Sequence, residues 1–94
     1  MSKAYRYYVR ELSCCVTGDI GFNDPHHITG YNWLTGKGMG KKGSDLTCIS
    51  LRHDLHQELH QIGWKSWEQK HNVSQLELMI KTILKAERDG VINV

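Results

Sequence analysis

The sequence predicts a small α+β domain in which an opening helix precedes two short strands joined by a long loop, with further helices behind them. Three observations lead there. A His26-His27 pair sits just after Pro25, where a helix cannot run through and a short strand end fits. Thr47 to Leu51 forms a second apolar, partly β-branched run. Beyond it, apolar and imidazole side chains recur at helical spacing. With 94 residues, one domain spanning 1–94 is expected, its core over about 14–62 and C-terminal helices over about 64–90. A chain this short buries a modest share of its surface, so a metal or self-association would add useful stability.

Tyr5, Tyr8, Val9 and Leu12 follow helical spacing, which reads residues 3–12 as an amphipathic helix. Tyr5, Tyr7 and Val9 also alternate as a strand would, and the helix is preferred. Cys14 to Thr17 is β-prone and stops at Gly18; Gly21 to Asp24 reads as a turn, and 26–29 as a strand end. From Gly30 to Gly43 there are five glycines, a long loop for a compact domain. A helix is expected over about 53–62, with Leu55 and Leu59 on one face, His56 and His60 on the neighbouring one, and Gly63 as its stop. Trp64 to Lys70 suits a short helix with Trp64 and Trp67 facing the core rather than stacking on bases. Ser74 and Glu77 make a capping box for a last helix, with Leu76, Met79, Ile80, Ile83 and Leu84 as an apolar stripe facing the core or a homodimer partner.

Composition excludes several classes. No apolar run approaches membrane-spanning length, and Lys3, Arg6 and Arg10 are not followed by the apolar core of a secretory signal. Three cysteines, an odd number without a Cys-x-x-Cys pair, argue against a disulfide framework and for a reducing cytoplasm. A net charge of +2 does not by itself imply nucleic acid, but Lys37, Lys41 and Lys42 lie together in the glycine-rich stretch. As a connector that loop is merely flexible; as a working element it carries three ammonium groups to phosphates, and its glycines allow close backbone approach. The second reading is favoured because the loop joins the two halves of the site.

Histidine is the unusual residue: six in all, five of them between positions 26 and 60. His56 and His60, four apart on a helix, can share one divalent ion. The His26-His27 pair, about 30 residues earlier at a strand end, supplies a third ligand and a free imidazole, because successive strand residues point opposite ways. We assign His26 as ligand and His27 as general base, although the residues alone leave the two roles exchangeable. An imidazole base suits proton abstraction near neutral pH, and Asp45, ahead of the second strand, is the candidate to hold its tautomer. The ligand set suits Zn, Ni, Co or Cu better than Mg and does not fix the metal. His53 and His71 read as surface side chains, Asp54 as a first-turn acid, and Glu58 as a partner for a surface cation.

The stretches Asp24-Pro25-His26-His27-Ile28-Thr29-Gly30, Gly38-Met39-Gly40, Lys42, Asp45 and Glu58-Leu59-His60, in that order, resemble phage and prophage HNH nucleases. The nearest group is that of the recombination-associated, Ref-like, RecA-dependent nucleases. Similarity extends to Tyr8-Val9-Arg10 before Cys14-Cys15-Val16, to Trp67-Glu68, and to Ser74-Gln75-Leu76-Glu77 with Lys81-Thr82, so it covers roughly Tyr5 to Gly90. The resemblance implies a small ββα-metal (HNH, His-Me finger) core with flanking helices. It also implies metal ligation by His26, His56 and His60, base function for His27, and one divalent ion (Zn, Mg, Mn or Ni). DNA would be the substrate, contacted by Lys37, Lys41, Lys42 and Arg52, with a recombinase filament as a further partner inside a bacterial host cell. Asp45 stands where this family usually carries Asn. The cysteines by which many relatives hold a structural zinc are missing together, with Arg52 in the place of one, so apolar packing is expected to replace that zinc and Cys14, Cys15 and Cys48 to be buried. The alternative is a non-catalytic DNA-binding or recombination-accessory module that keeps the fold around zinc.

Overall fold

The structure is a computed structural model that describes residues 2–21, 23–31, 33 and 44–92. The expectations placed on Lys37, Lys41, Lys42 and the glycine-rich loop around them lie outside the described residues.

Helix α1 spans Ser2–Glu11. Tyr5 and Val9, four apart, are its buried face, whereas Tyr7 is 61% exposed. The strand-like alternation of this segment is therefore incidental, and the helical period sets what is buried. The Cys14–Thr17 stretch does not become a strand. Gly18, at a φ of +78°, returns its N–H to the Cys14 carbonyl at 2.8 Å, and the Cys14 N–H reaches Asp19 O at 2.8 Å. The tight turn that results leaves one ladder-like contact, from Cys15 N to Ser50 O at 2.9 Å.

Strand β1 is Asp24–His27 and β2 is Cys48–Leu51, paired antiparallel with His26 opposite Ile49 and His27 opposite Cys48. The first strand thus starts two residues earlier than its expected place and takes in Pro25. A proline costs little there, because a two-stranded ribbon leaves alternate N–H groups unpaired anyway. Ser44 caps a single 3-10 turn, Asp45–Thr47, that leads into β2: its Oγ accepts from Leu46 N at 3.2 Å and its carbonyl from Thr47 Oγ1 at 2.6 Å.

Helix α2, His53–Ile62, buries Leu55 and Leu59 and ends at Gly63, whose φ is +87°. Helix α3, Trp64–His71, begins at once, and its fully buried Trp67 donates from Nε1 to Leu55 O at 3.1 Å. Helix α4, Gln75–Arg88, starts at Ser74, whose Oγ accepts from Glu77 N at 3.4 Å. The box is not reciprocal, because the Glu77 side chain pairs with Lys81.

Of the expected stripe on α4, Met79 is buried and Leu76 and Ile83 pack against the core, and the core-facing reading is corrected only at Ile80 and Leu84. The helix buries Gln75, Leu78, Met79, Thr82 and Ala86, while Ile80 and Leu84 are 47% and 60% exposed and Leu76 and Ile83 only partly covered. The reason is that the polar members of the buried face have partners. Thr82 Oγ1 donates to Leu78 O at 2.8 Å and Gln75 is bonded on both sides of its amide. Small Ala86 lets α4 approach Tyr5 and Val9 of α1.

The two faces of the ribbon meet different sets of side chains, α2 and α3 on one and α1 on the other, with α4 contributing to both. Ile49 and Leu51 face Leu55, Leu59, Trp67 and Met79, and Cys48 packs with Tyr5, Val9 and Ala86. None of the three cysteines is in a disulfide; Cys14 and Cys48 are buried and Cys15 half-buried. No helix among the described residues is long and apolar enough to cross a membrane.

Candidate metal centre

Residues placed opposite one another in an antiparallel ladder share a face. His26 therefore lies on the Ile49 side of the ribbon, toward α2, and His27 on the Cys48 side, toward α1. On the α2 side, His26 meets His56 and His60 with ring centroids 4.9 and 5.7 Å away, and the two helical rings are 4.9 Å apart. One nitrogen from each of the three lies within 4.8 Å of the others. Nε2 of His60 is 3.2 Å from Nε2 of His56, close to the separation of about 3.3 Å expected for two nitrogens sitting about 2.0 Å from a tetrahedral ion. The donor set fits one divalent cation. The cluster grades from His26, which is buried, through half-buried His56 to exposed His60, so the side away from the core is open.

Each inner imidazole has one ring nitrogen bonded to a polar side chain, as metal-ligating histidines usually do. His26 Nε2 lies 2.9 Å from Gln75 Oε1, and His56 Nδ1 lies 2.9 Å from Asp24 Oδ2. That same Asp24 oxygen takes His53 Nδ1 at 2.7 Å. Partial burial works to raise the Asp24 carboxyl, but the hydrogen bonds and charge of His56 and His53 outweigh it and hold the group below the ordinary carboxylate range. His53 is thus a neighbour of the centre through Asp24, and its own ring remains 68% exposed.

On the other face, His27 Nε2 lies 2.8 Å from Asp45 Oδ1. Asp45 Oδ2 faces Arg6 Nε of α1 at 3.5 Å. His27, Asp45 and Cys48 form a second grouping whose ligand atoms lie within 4.8 Å of one another. With Nε2–H given to Asp45, the ring of His27 keeps Nδ1 as its lone-pair nitrogen.

All five residues assigned from the sequence, His26, His27, Asp45, His56 and His60, therefore take part in one of two adjoining groups. Arg52 is engaged differently: its guanidinium is held by Asp19 and by Asp54, with Nε 2.6 Å from Asp54 Oδ1, so a phosphate would compete with two carboxylates. His71 is not a free surface side chain. It packs on Trp67, with ring centroids 4.9 Å apart, and pairs with Glu58, which also holds Lys70.

Three participants escaped sequence reasoning. Asp24 was visible as an acid two residues before the His pair, but only the fold brings it to α2. Gln75 reads as a helix-start residue beside its cap and carries no chemical signal. Arg6 belongs to a helix whose relation to Asp45 no local pattern encodes.

Comparison with known proteins adds a lineage. The chain is 34% identical over 92 residues to the uncharacterized protein YdfU of Escherichia coli (strain K12), a match covering 98% of this chain and 25% of the relative. It thus spans about a quarter of the length of the curated relative it matches. No solved structure matches it. A family profile matches residues 1–90, and the chain belongs to that family, described as protein of unknown function DUF968.

Proposed function

We propose that this chain is a metal-dependent DNA endonuclease of the HNH, ββα-metal type, hydrolysing phosphodiester bonds with a histidine base and one divalent ion. A role in phage DNA recombination or processing, with a recombinase filament as partner, belongs to the same proposal. The observation that carries it is the pairing of two groups on adjacent residues of one strand. His26 joins His56 and His60 in a cluster sized for one ion, and His27 is bonded to a carboxylate on the opposite face.

When bound, the ion supplies Lewis-acid stabilisation of the phosphoryl oxygen and the departing alkoxide. The rest falls to side chains. His27 accepts a proton from the attacking water at Nδ1 as the new P–O bond forms and the bond to the leaving oxygen breaks. Asp45 accepts the Nε2–H, holds the ring in that tautomer and steadies the imidazolium that results. Asp24 keeps His56 turned toward the centre. An acid in place of the usual asparagine still performs the orienting task, because that task needs only an acceptor.

The decisive experiment incubates purified protein with supercoiled plasmid in Mg, Mn, Ni or Zn beside His27→Ala. The expected result is metal-dependent nicking, lost in the variant while metal binding is kept. Equal cutting by both proteins would overturn the base assignment. Tight zinc binding with no cutting in any metal would favour the accessory-module reading.

A further inference from the structure

One side chain reaches the histidine cluster from the last helix. Gln75 is fully buried at the first turn of α4. Its amide offers two acceptor positions and two donor hydrogens, and the surroundings use them all. Oε1 accepts from Thr29 N at 3.2 Å and faces His26 Nε2 at 2.9 Å. Nε2 donates to Thr29 O at 3.0 Å and to Glu68 Oε2 at 3.3 Å. Glu68 is itself held by the hydroxyl of Tyr31, at 3.1 Å, and by the Gln75 backbone N–H, at 2.8 Å.

The backbone of Thr29 settles which way the amide points. Its N–H can only donate and its carbonyl can only accept, so the amide oxygen must lie at the first and the amide nitrogen at the second. An oxygen fixed in that place requires a donor from His26, so Nε2 of His26 carries the hydrogen. A neutral imidazole has one N–H, and the nitrogen left with a lone pair is Nδ1.

We infer that Gln75 is a positioning residue for the metal centre. It locks His26 in its Nε2–H form, so that Nδ1 is the ligating atom, and it makes helices α3 and α4 part of the site. This rests on the reading of His26, His56 and His60 as metal ligands. The donor set is then mixed. His56 gives Nδ1 to Asp24 and presents Nε2, while His26 gives Nε2 to Gln75 and presents Nδ1. The same bonds account for a polar residue leading the buried face of α4.

The test uses the intact protein with 15N-labelled histidine and cadmium-113 as the probe. Long-range proton–nitrogen spectra should show His26 protonated at Nε2 and coupled to cadmium through Nδ1, with the opposite assignment at His56. Coupling of His26 through Nε2 would overturn the inference while leaving the metal reading intact. If the wild type binds neither cadmium nor zinc, the metal reading falls first and this inference with it.

A second measurement compares zinc affinity, by chelator competition, in Gln75→Leu and Gln75→Glu. Loss of an orienting partner typically weakens metal binding about 10–100-fold, and that is expected for the leucine variant. The glutamate variant keeps an acceptor for His26 and should stay within a few-fold of wild type, although facing Glu68 will cost it thermal stability. A purely structural role would lower the melting temperature of both and leave affinity unchanged; a folded Gln75→Leu with wild-type affinity would refute the inference. Should that variant not fold, the wild-type spectra decide alone.

Discussion

Nε2 of His27 and Oδ1 of Asp45 stand 2.8 Å apart although 18 positions separate the residues in the chain. The 3-10 turn that Ser44 caps delivers the carboxylate to a ring presented by the neighbouring strand. Under the proposed function the two should not be equivalent. His27→Ala is expected to lower the nicking rate by about 10²–10⁴ with zinc affinity unchanged. Asp45→Asn keeps an acceptor for the ring and should be milder than Asp45→Ala, which frees the tautomer. Single-turnover nicking rates for the three variants, measured with isothermal titration of zinc, check this order.

A histidine scan separates ligands from neighbours. His26→Ala, His56→Ala and His60→Ala should each abolish stoichiometric binding of cobalt, read from its visible absorption. His53→Ala and His71→Ala should retain it, since the first meets the centre only through Asp24 and the second belongs to the Glu58–Trp67 contact. Retained binding in all five variants would remove the metal reading.

Gly30 tests how closely the chain just after β1 approaches helix α3. It holds a φ of +87°, and a Cβ built there would lie 2.1 Å from Cε2 of Trp64. Gly18 has a similar φ of +78° but nothing within 4 Å of the same position. Gly18→Ala should therefore cost only the left-handed backbone penalty, about 1–2 kcal/mol. Gly30→Ala adds overpacking of about 1–3 kcal/mol against the indole. Thermal melts should place Gly30→Ala lower by several degrees, and equal melting temperatures would refute the close approach.

Glu58 gives a prediction in pH. Hydrogen bonds from Lys70 and His71 hold its carboxyl below the ordinary glutamate value of 4.5. A carboxyl held low in the folded state contributes stability above its unfolded pKa and loses it as pH falls through the folded one. Glu58→Gln should accordingly melt below wild type at neutral pH, and the gap should close as pH falls through and beneath 4.5. A gap that persists in acid would mean that the pairing is not electrostatic.

How much of this could be read in advance depends on whether a signal was local. Helix α2 runs over the residues that Leu55, Leu59 and Gly63 predict, because amphipathic spacing and a glycine stop are properties of neighbouring residues. His26, His56 and His60 were found by residue type and spacing, and the structure brings them together. The polar members of the buried face of α4 were missed because hydropathy ranks Ile80 and Leu84 above Gln75 and Thr82, whereas burial follows which polar atoms find partners. Asp24 and Gln75 were missed as supports for the same reason: their partners lie 32 and 49 positions away. The turn at Cys14–Gly18 defeated a β-branched signal through one left-handed glycine.

The pairing of β1 with β2 has a consequence for the whole site. Side-chain direction alternates along a strand, so a slip of one residue would exchange the environments of His26 and His27. The imidazole now packed beside Gln75 would turn toward Asp45, and its neighbour would enter the cluster. Two strands of four residues each give little ladder to resist such a shift. The alignment is instead guarded by contacts outside the ladder, such as Ile28 N to Thr47 O at 3.2 Å and Thr29 to the amide of Gln75. Inserting or deleting a single residue beside Pro25 would thus scramble the chemistry of both faces while leaving every histidine in the chain.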